Sequence, residues 1–188
     1  MTKIVAGNVG GRRIKVPAQG TRPTSAKVRE ALFSKLEHWG AVHGSRVLDL
    51  FAGSGALGIE ALSRGAVSAD FVDRSRPAAQ VVTQNLRDLG LQSAATVSAV
   101  SASAYLSRPR APWDLVFIDP PYAWPEPELA ALLTQLAPML TPDALVVIER
   151  DADSPQPQVP APLAIEDHRT WGDTAAWFAG LPPETDVG

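Results

Sequence analysis

Between residues 46 and 149 the chain alternates short apolar runs with longer amphipathic stretches, and this alternation constrains its fold more than any other feature. Runs at 46–51, 68–72, 95–100, 113–118 and 144–149 are interleaved with helical patterns at 56–64, 78–89 and 126–140, and a short turn is expected after residue 100. Such spacing predicts successive βα units, hence a mostly parallel sheet with helices on both faces. Two further candidate strands, 163–169 and 175–179, flank Trp171-Gly172-Asp173, which reads as a hairpin turn. Upstream, Val28, Ala31, Leu32, Leu36 and Trp39 recur at three- and four-residue spacing, so a helix is expected over 25–39, capped by Thr24 or Ser25 and ended by Gly40. Before it, 4–6 and 14–16 flank a glycine-bearing stretch at 7–11 and read as a β-hairpin with a loose turn. A chain of 188 residues with 45% hydrophobic content fills one substantial domain. The expected organisation is a basic hairpin extension over 1–24 and one α/β domain over 25–188.

Several functional classes drop out on composition. With no cysteine there are no disulfides or thiolate metal sites, and three dispersed histidines have no metal-ligand spacing, so no metal is expected. The first twenty residues lack the apolar core of a signal peptide, and nowhere do eighteen apolar residues run together. A soluble, cytoplasmic protein with no membrane partner is expected, and nothing in the sequence requires a protein partner. The net charge of −3 is unevenly spread: residues 1–29 hold Lys3, Arg12, Arg13, Lys15, Arg22, Lys27 and Arg29 and no acid, a local +7, which leaves −10 for the remainder. Such asymmetry reads either as a polyanion-binding surface or as a merely solvated basic arm. Arg12, Arg13 and Lys15 are the candidate phosphate contacts.

The first apolar run ends in Asp49-Leu50-Phe51-Ala52-Gly53-Ser54-Gly55-Ala56-Leu57-Gly58 and opens a helical pattern. Gly53, Gly55 and Gly58 satisfy the dinucleotide-type spacing, and Asp73, twenty residues beyond Gly53 and ending the second run, stands where a carboxylate accepts ribose hydroxyl protons. The loop alone does not separate a nicotinamide cofactor from S-adenosylmethionine, because both contain adenosine. Asp49 favours the second: a carboxylate beside the loop suits a ligand that carries an ammonium and a sulfonium, whereas a diphosphate does not.

The fourth apolar run leads directly into Asp119, Pro120, Pro121 and Tyr122. Consecutive prolines cannot continue a sheet, so the chain leaves the strand at its carboxyl end as a stiff segment beside the cofactor. An exocyclic amine on a base is a poor nucleophile, since its lone pair is delocalised into the ring. Two acceptors aimed at its hydrogens, the Asp119 carboxylate and the Pro120 carbonyl, favour a pyramidal nitrogen with its lone pair free. Tyr122 supplies an aromatic face that holds an extruded base in line.

These residues resemble the D/N-P-P-Y/F/W amino-methyltransferases, and nearly the whole chain is similar to the RsmD family of small-subunit (16S) ribosomal RNA guanine-N2 methyltransferases. Gly7, Gly11-Arg12-Arg13, Thr21-Arg22-Pro23-Thr24, Val28-Arg29-Glu30-Ala31-Leu32-Phe33 and Gly172-Asp173-Thr174 carry the match. The resemblance implies a Rossmann-like seven-stranded methyltransferase fold with a final antiparallel strand, and S-adenosylmethionine held near Asp49, Phe51, Gly53, Gly55, Asp73 and Asp119. Catalysis is implied at Asp119, Pro120, Pro121 and Tyr122, on ribosomal RNA in a small-subunit particle. Family members carry Asp or Asn where Ser101 and Ala102 stand, which leaves the Ser101 hydroxyl or a backbone group to read the adenine amine. Arg22 and Thr24 either cover the cofactor or touch RNA.

Two other readings stay open. A DNA amino-methyltransferase acting on adenine N6 or cytosine N4 shares the chemistry, although only about 25 basic residues and short loops remain for recognition. A non-catalytic RNA-binding module needs only the basic arm. Trp124 either closes over the base or packs on the following helix; His168 reads as structural, and Glu149, ending the fifth run, either approaches the site or, the reading preferred, is a strand-end acid facing solvent.

Overall fold

The computed structural model describes residues 1–19, 23–109, 112–121 and 124–185. Arg22 and Tyr122, two of the sequence-derived site residues, lie outside them. The chain order is β1 (Thr2–Lys3), β2 (Arg13–Ile14), α1 (Ala26–His38), β3 (Arg46–Asp49), α2 (Ala56–Ser63), β4 (Ser68–Val72), α3 (Arg76–Leu89), β5 (Ala95–Ser98) and α4 (Ala102–Leu106). β6 (Trp113–Ile118), α5 (Glu126–Leu136), β7 (Leu140–Asp151), β8 (Ala164–Trp171) and β9 (Thr174–Gly180) follow. Seven strands form one sheet in the order β5-β4-β3-β6-β7-β9-β8, parallel from β5 through β7, with β9 antiparallel to both neighbours; β1 and β2 form a separate antiparallel pair. The α/β class, the mostly parallel seven-stranded sheet, the antiparallel final strand and the N-terminal hairpin all agree with the sequence reading.

Strand alternation divides the core into two layers. Val47, Leu115, Phe117, Leu145 and Val147 face α1, α2 and α3, whereas Leu48, Val116, Ile118, Val146 and Ile148 face α4 and α5. Because successive strand side chains point to opposite faces, continuous Val/Ile/Leu runs are what a sheet covered on both sides requires. Helix α1 starts where Ser25 Oγ accepts the Val28 N–H at 3.2 Å and buries Leu32, Phe33 and Leu36. All eight residues of α2 are buried, so this helix has no solvent face.

The hairpin differs in register from the expectation of 4–6 with 14–16: Thr2 pairs with Ile14 and Lys3 with Arg13. Side chains of the main domain have taken the backbone groups farther along. Val5 and Ala6 donate to the Glu60 carboxylate at 2.9 and 3.1 Å, and Lys15 N donates to Asn85 Oδ1 at 2.8 Å. Ile4 and Ile14 are buried in the same core as α1 and α2.

The expected turn after residue 100 is the short helix α4, with the Ser101 hydroxyl accepting the Ala104 N–H at 3.1 Å. A serine followed by alanines at 102 and 104 is an N-cap signal that outweighed the apparent turn. Strand β7 begins at Leu140, four residues before the apolar run, because Leu140 pairs with Trp113 across a register shift that absorbs Thr141-Pro142-Asp143.

Candidate active site

The sheet's topology selects one place for a ligand. The chain lays β4 and β5 on one side of β3, then returns to lay β6 on the other, so the strand order reverses between β3 and β6. Asp49 ends β3 at this switch point, and Asp119 follows the last residue of β6.

The glycine turn takes a shape that side chains disfavour: Gly53 has φ +58° and Gly55 φ +82°, and a Cβ at Gly53 would meet nothing within 4 Å. Gly58 is required for contact, since a Cβ there would lie 2.3 Å from the Phe71 ring. Asp73, at the end of β4, accepts the Gly53 N–H at 2.9 Å and the Ser75 N–H at 2.8 Å, so its carboxylate sets the loop's position. Asn85 holds the loop from α3, donating to both Ser54 O and Lys15 O at 2.9 Å, and so joins it to the basic arm.

Asp49 is buried, with one oxygen accepting the Gly58 N–H at 3.2 Å and the other without a hydrogen-bond partner among the described residues. Burial, reinforced by Asp73 and Glu149 and opposed by the Gly58 N–H, pushes its carboxyl up to about 7. An unsatisfied buried acceptor beside an open glycine turn fits a cationic ligand group, and the donor set therefore fits S-adenosylmethionine.

A second group of side chains lies on the β7 side. Ile118 pairs with Ile148, so the next residues of the two strands, Asp119 and Glu149, stand side by side. Thr24, preceding α1, donates its hydroxyl to Glu149 Oε2 at 2.8 Å and lies 3.5 Å from Asp119 Oδ2. Burial and the neighbouring Glu149 and Asp49 hold the Asp119 carboxyl well above the usual carboxylate range, and burial also raises Glu149. A cavity of about 780 Å³ opens onto this group, with Thr24, Lys27, Asp119, Pro120, Glu149 and Trp171 among its walls. Glu149 is 4% exposed, which corrects its reading as a solvent-facing strand end: the antiparallel partner β9 and the Thr24 segment cover it.

Other sequence-derived candidates fall variously. Phe51 packs edge-on against Trp124, ring centroids 4.9 Å apart, so Trp124 packs beside the glycine turn and not only on the following helix. Arg150 anchors the Trp124 segment by donating to Trp124 O at 3.3 Å and to Glu126. Ser101 spends its hydroxyl as a helix cap, and Ala102 is buried beneath it. His168 stacks on Trp177 at 4.6 Å, in keeping with a structural role. Among the basic residues, Arg12, Arg13 and Lys15 are exposed, but Arg29 is fully buried, donating to Thr24 O, Thr2 Oγ1 and Lys3 O, so its charge does not belong to the surface. Glu149, Arg29, Asn85 and Glu60 were not recognised as parts of the site or its supports from sequence, since each depends on a partner more than 20 residues away. Among the described residues no cluster of three or more potential ligands could hold a metal ion, and no helix is long and apolar enough to cross a membrane.

Asp73→Ala is expected to weaken S-adenosylmethionine binding roughly 10- to 150-fold, the equivalent of a charged hydrogen bond of ~1.5–3 kcal/mol. Calorimetry checks this, and an unchanged dissociation constant removes Asp73 from the site. Asp49 sets a pH dependence. If its carboxylate pairs with a cationic group of the ligand, the protonated form cannot, so affinity should be full above about 7 and fall as the pH drops below it. Equal affinity at pH 6 and pH 8 contradicts this pairing.

The model of a family described as Conserved hypothetical protein 95 matches residues 2–180. Ribosomal RNA small subunit methyltransferase D of Escherichia coli (strain K12) is 34% identical over 174 residues, 92% of this chain and 86% of that one. The protein of the same name from Haemophilus influenzae is 38% identical over 157 residues, 81% of this chain and 80% of that one. The solved structure of yhhF from Escherichia coli superposes with a TM-score of 0.83 at 33% identity, covering 97% of this chain and 98% of that one.

Proposed function

Since this chain belongs to the Conserved hypothetical protein 95 family, with relatives named ribosomal RNA small subunit methyltransferase D, we propose that it methylates the exocyclic N2 amine of a guanine in small-subunit ribosomal RNA. The observation that carries this reading is the meeting of Asp119-Pro120 with the glycine turn at one topological switch point. S-adenosylmethionine, held by Asp49, Gly53, Gly55 and Asp73 with Phe51, Ser101 and Ala102 nearby, supplies an electrophilic methyl group.

The chain's own residues then act on the acceptor. Asp119 and the Pro120 carbonyl accept the amine's hydrogens and orient its lone pair. The raised proton affinity of Asp119 suits it to receive the proton that the nitrogen releases. Pro121 stiffens the exit from β6, and Tyr122 provides the stacking face for a base taken out of its helix. Arg12, Arg13 and Lys15, with Arg22, bind phosphates, and Thr24 belongs to the acceptor pocket through its contact with Glu149. Residues 1–24 are the RNA-contacting extension of a methyltransferase domain over 25–188, and a small-subunit particle as substrate places the protein in the cytoplasm.

The test is direct: small-subunit particles and their RNA from a strain lacking the enzyme are incubated with labelled S-adenosylmethionine, and the nucleosides are separated by mass. N2-methylguanosine is the expected product. N6-methyladenosine or N4-methylcytosine overturns the acceptor assignment, and 5-methylcytosine overturns the mechanism, because carbon methylation normally needs a cysteine nucleophile that this chain lacks. RNA binding should also depend steeply on salt. Replacing Arg12, Arg13 and Lys15 together should reduce the slope of log affinity against log salt by about 2, given roughly 0.7–0.9 per phosphate contact. An unaltered slope dismisses the arm as a phosphate-binding surface.

A further inference from the structure

We infer that Glu149 is a specificity residue that reads the N1–H of the acceptor guanine, so that the adjacent carboxylates of Glu149 and Asp119 together select guanine over adenine and cytosine. The inference rests on the guanine-N2 reading above and adds to it the group that recognises the base. Register places the two carboxylates abreast, Asp119 just past the end of β6 and Glu149 within β7, one residue beyond the Ile118–Ile148 pair. Thr24 occupies Glu149 Oε2 at 2.8 Å, while Oε1 is buried without a hydrogen-bond partner among the described residues, and Glu149 lines the same cavity as Asp119 and Pro120. A buried carboxylate oxygen left bare is costly unless a donor meets it. The side chain that carries this oxygen lines a cavity of about 780 Å³, large enough for a nucleotide.

Chemistry identifies the donor. On the Watson–Crick edge of guanine the N2 amine is flanked by N1–H, a second donor, so two neighbouring acceptors complement it. Adenine presents its N1 lone pair beside the N6 amine, and cytosine its N3 lone pair beside the N4 amine. Either would set a lone pair against the Glu149 oxygen. Arg29, Asp49 and Asp119 are the charged groups around Glu149; burial raises its carboxyl, while hydrogen bonds from Thr24 and Asp119 and the charge of Arg29 act in the other direction, toward the anionic form that accepts. Thr24 fixes the carboxylate's orientation by taking the other oxygen.

The test uses particles whose RNA is ligated to carry guanine, 6-thioguanine or 2-aminopurine at the modified position. 6-Thioguanine alters only O6, whereas 2-aminopurine keeps the N2 amine but presents a lone pair at N1. The wild-type protein should methylate 6-thioguanine at close to the guanine rate and 2-aminopurine about 10- to 150-fold more slowly, the range for a substrate donor lost from a buried acceptor. In Glu149→Gln the amide can donate to that lone pair, so the guanine to 2-aminopurine rate ratio should fall at least tenfold. The ratio is insensitive to the fraction of protein that folds, because both rates scale with it. Equal wild-type rates on guanine and 2-aminopurine overturn the inference while leaving the guanine-N2 reading intact, as does a variant in which both rates fall by the same factor. A wild-type protein that yields no N2-methylguanosine on the unmodified particle overturns both.

Discussion

Asp119→Ala should abolish methyl transfer, lowering turnover about 10²–10³-fold or more, the loss typical of removing a preorganised polar group at the reacting centre. S-Adenosylmethionine binding should change comparatively little if, as proposed, the main partner of this carboxylate is the acceptor amine, on the side where it stands beside Glu149. Stability supplies an independent sign. The folded-state carboxyl lies above its ordinary value, so between that value and the raised one the native protein binds more protons than the unfolded chain, and stability falls as pH rises through this window. Removing the charge should therefore leave thermal stability at pH 8 unchanged or increased: Asp119→Asn should unfold no earlier than the wild type. A dead Ala variant that has also lost cofactor affinity and stability would place Asp119 in the fold's support and not in the chemistry. Single-turnover rates, calorimetry and thermal melts on the same preparations separate the cases.

Glu60→Ala should cost about 3–5 kcal/mol, the range for stripping one partner from a buried charged pair. Glu60 is fully buried on α2, accepts the Val5 and Ala6 N–H groups and pairs with Arg64 Nε at 2.9 Å. Its loss strands two backbone donors, leaves Arg64 with Glu37 as its one carboxylate partner among the described residues, and releases the N-terminal hairpin from the helix. For a domain of this size the melting temperature should drop by roughly 6–20 °C. Amide exchange locates the damage: Val5 and Ala6 should lose protection first, ahead of the sheet. Glu60→Gln keeps an acceptor oxygen and should cost less. A melting temperature within 2 °C of the wild type refutes the role given to this carboxylate. Because the hairpin leads through residue 15 to Asn85 and the glycine turn, a weaker affinity for S-adenosylmethionine should accompany the loosened arm.

Elements with strong local patterns were legible from the chain alone. The apolar runs at 68–72 and 113–118 are β4 and β6 at those bounds, and the helix expected over 25–39 is α1 with Ser25 as its cap. Periodicity, capping and glycine spacing act over a few residues, so they can be read without knowing the rest of the molecule. The glycine turn with Asp73 was legible for the same reason, and the Gly53–Asp73 hydrogen bond joins two residues that the fingerprint already relates. The short strands β1 and β2 were misplaced because nothing local indicates that Glu60, more than fifty residues away, takes the amides of Val5 and Ala6.

What sequence alone determined, then, is the α/β class, the glycine turn after β3 and the Asp119-Pro120 exit from its strand. Which strand lies beside β6 was decided only by tertiary packing, and with it the neighbour of Asp119. Glu149 ends an apolar run like any strand-end acid, and its 30-residue separation from Asp119 carries no hint of contact. Pairing of Ile118 with Ile148 sets the two carboxylates abreast, and closure by β9 and Thr24 buries Glu149 while Asp119 stays half-buried at the cavity wall. Burial then raises both carboxyls, since charge is costly where solvent cannot reach it. Likewise Arg29 counts in the sequence as one more positive charge of the arm, and only its place beneath the hairpin, fully enclosed, turns it into a structural cation. Local chemistry is written in the order of residues, whereas register, burial and the fields they create belong to the assembled sheet.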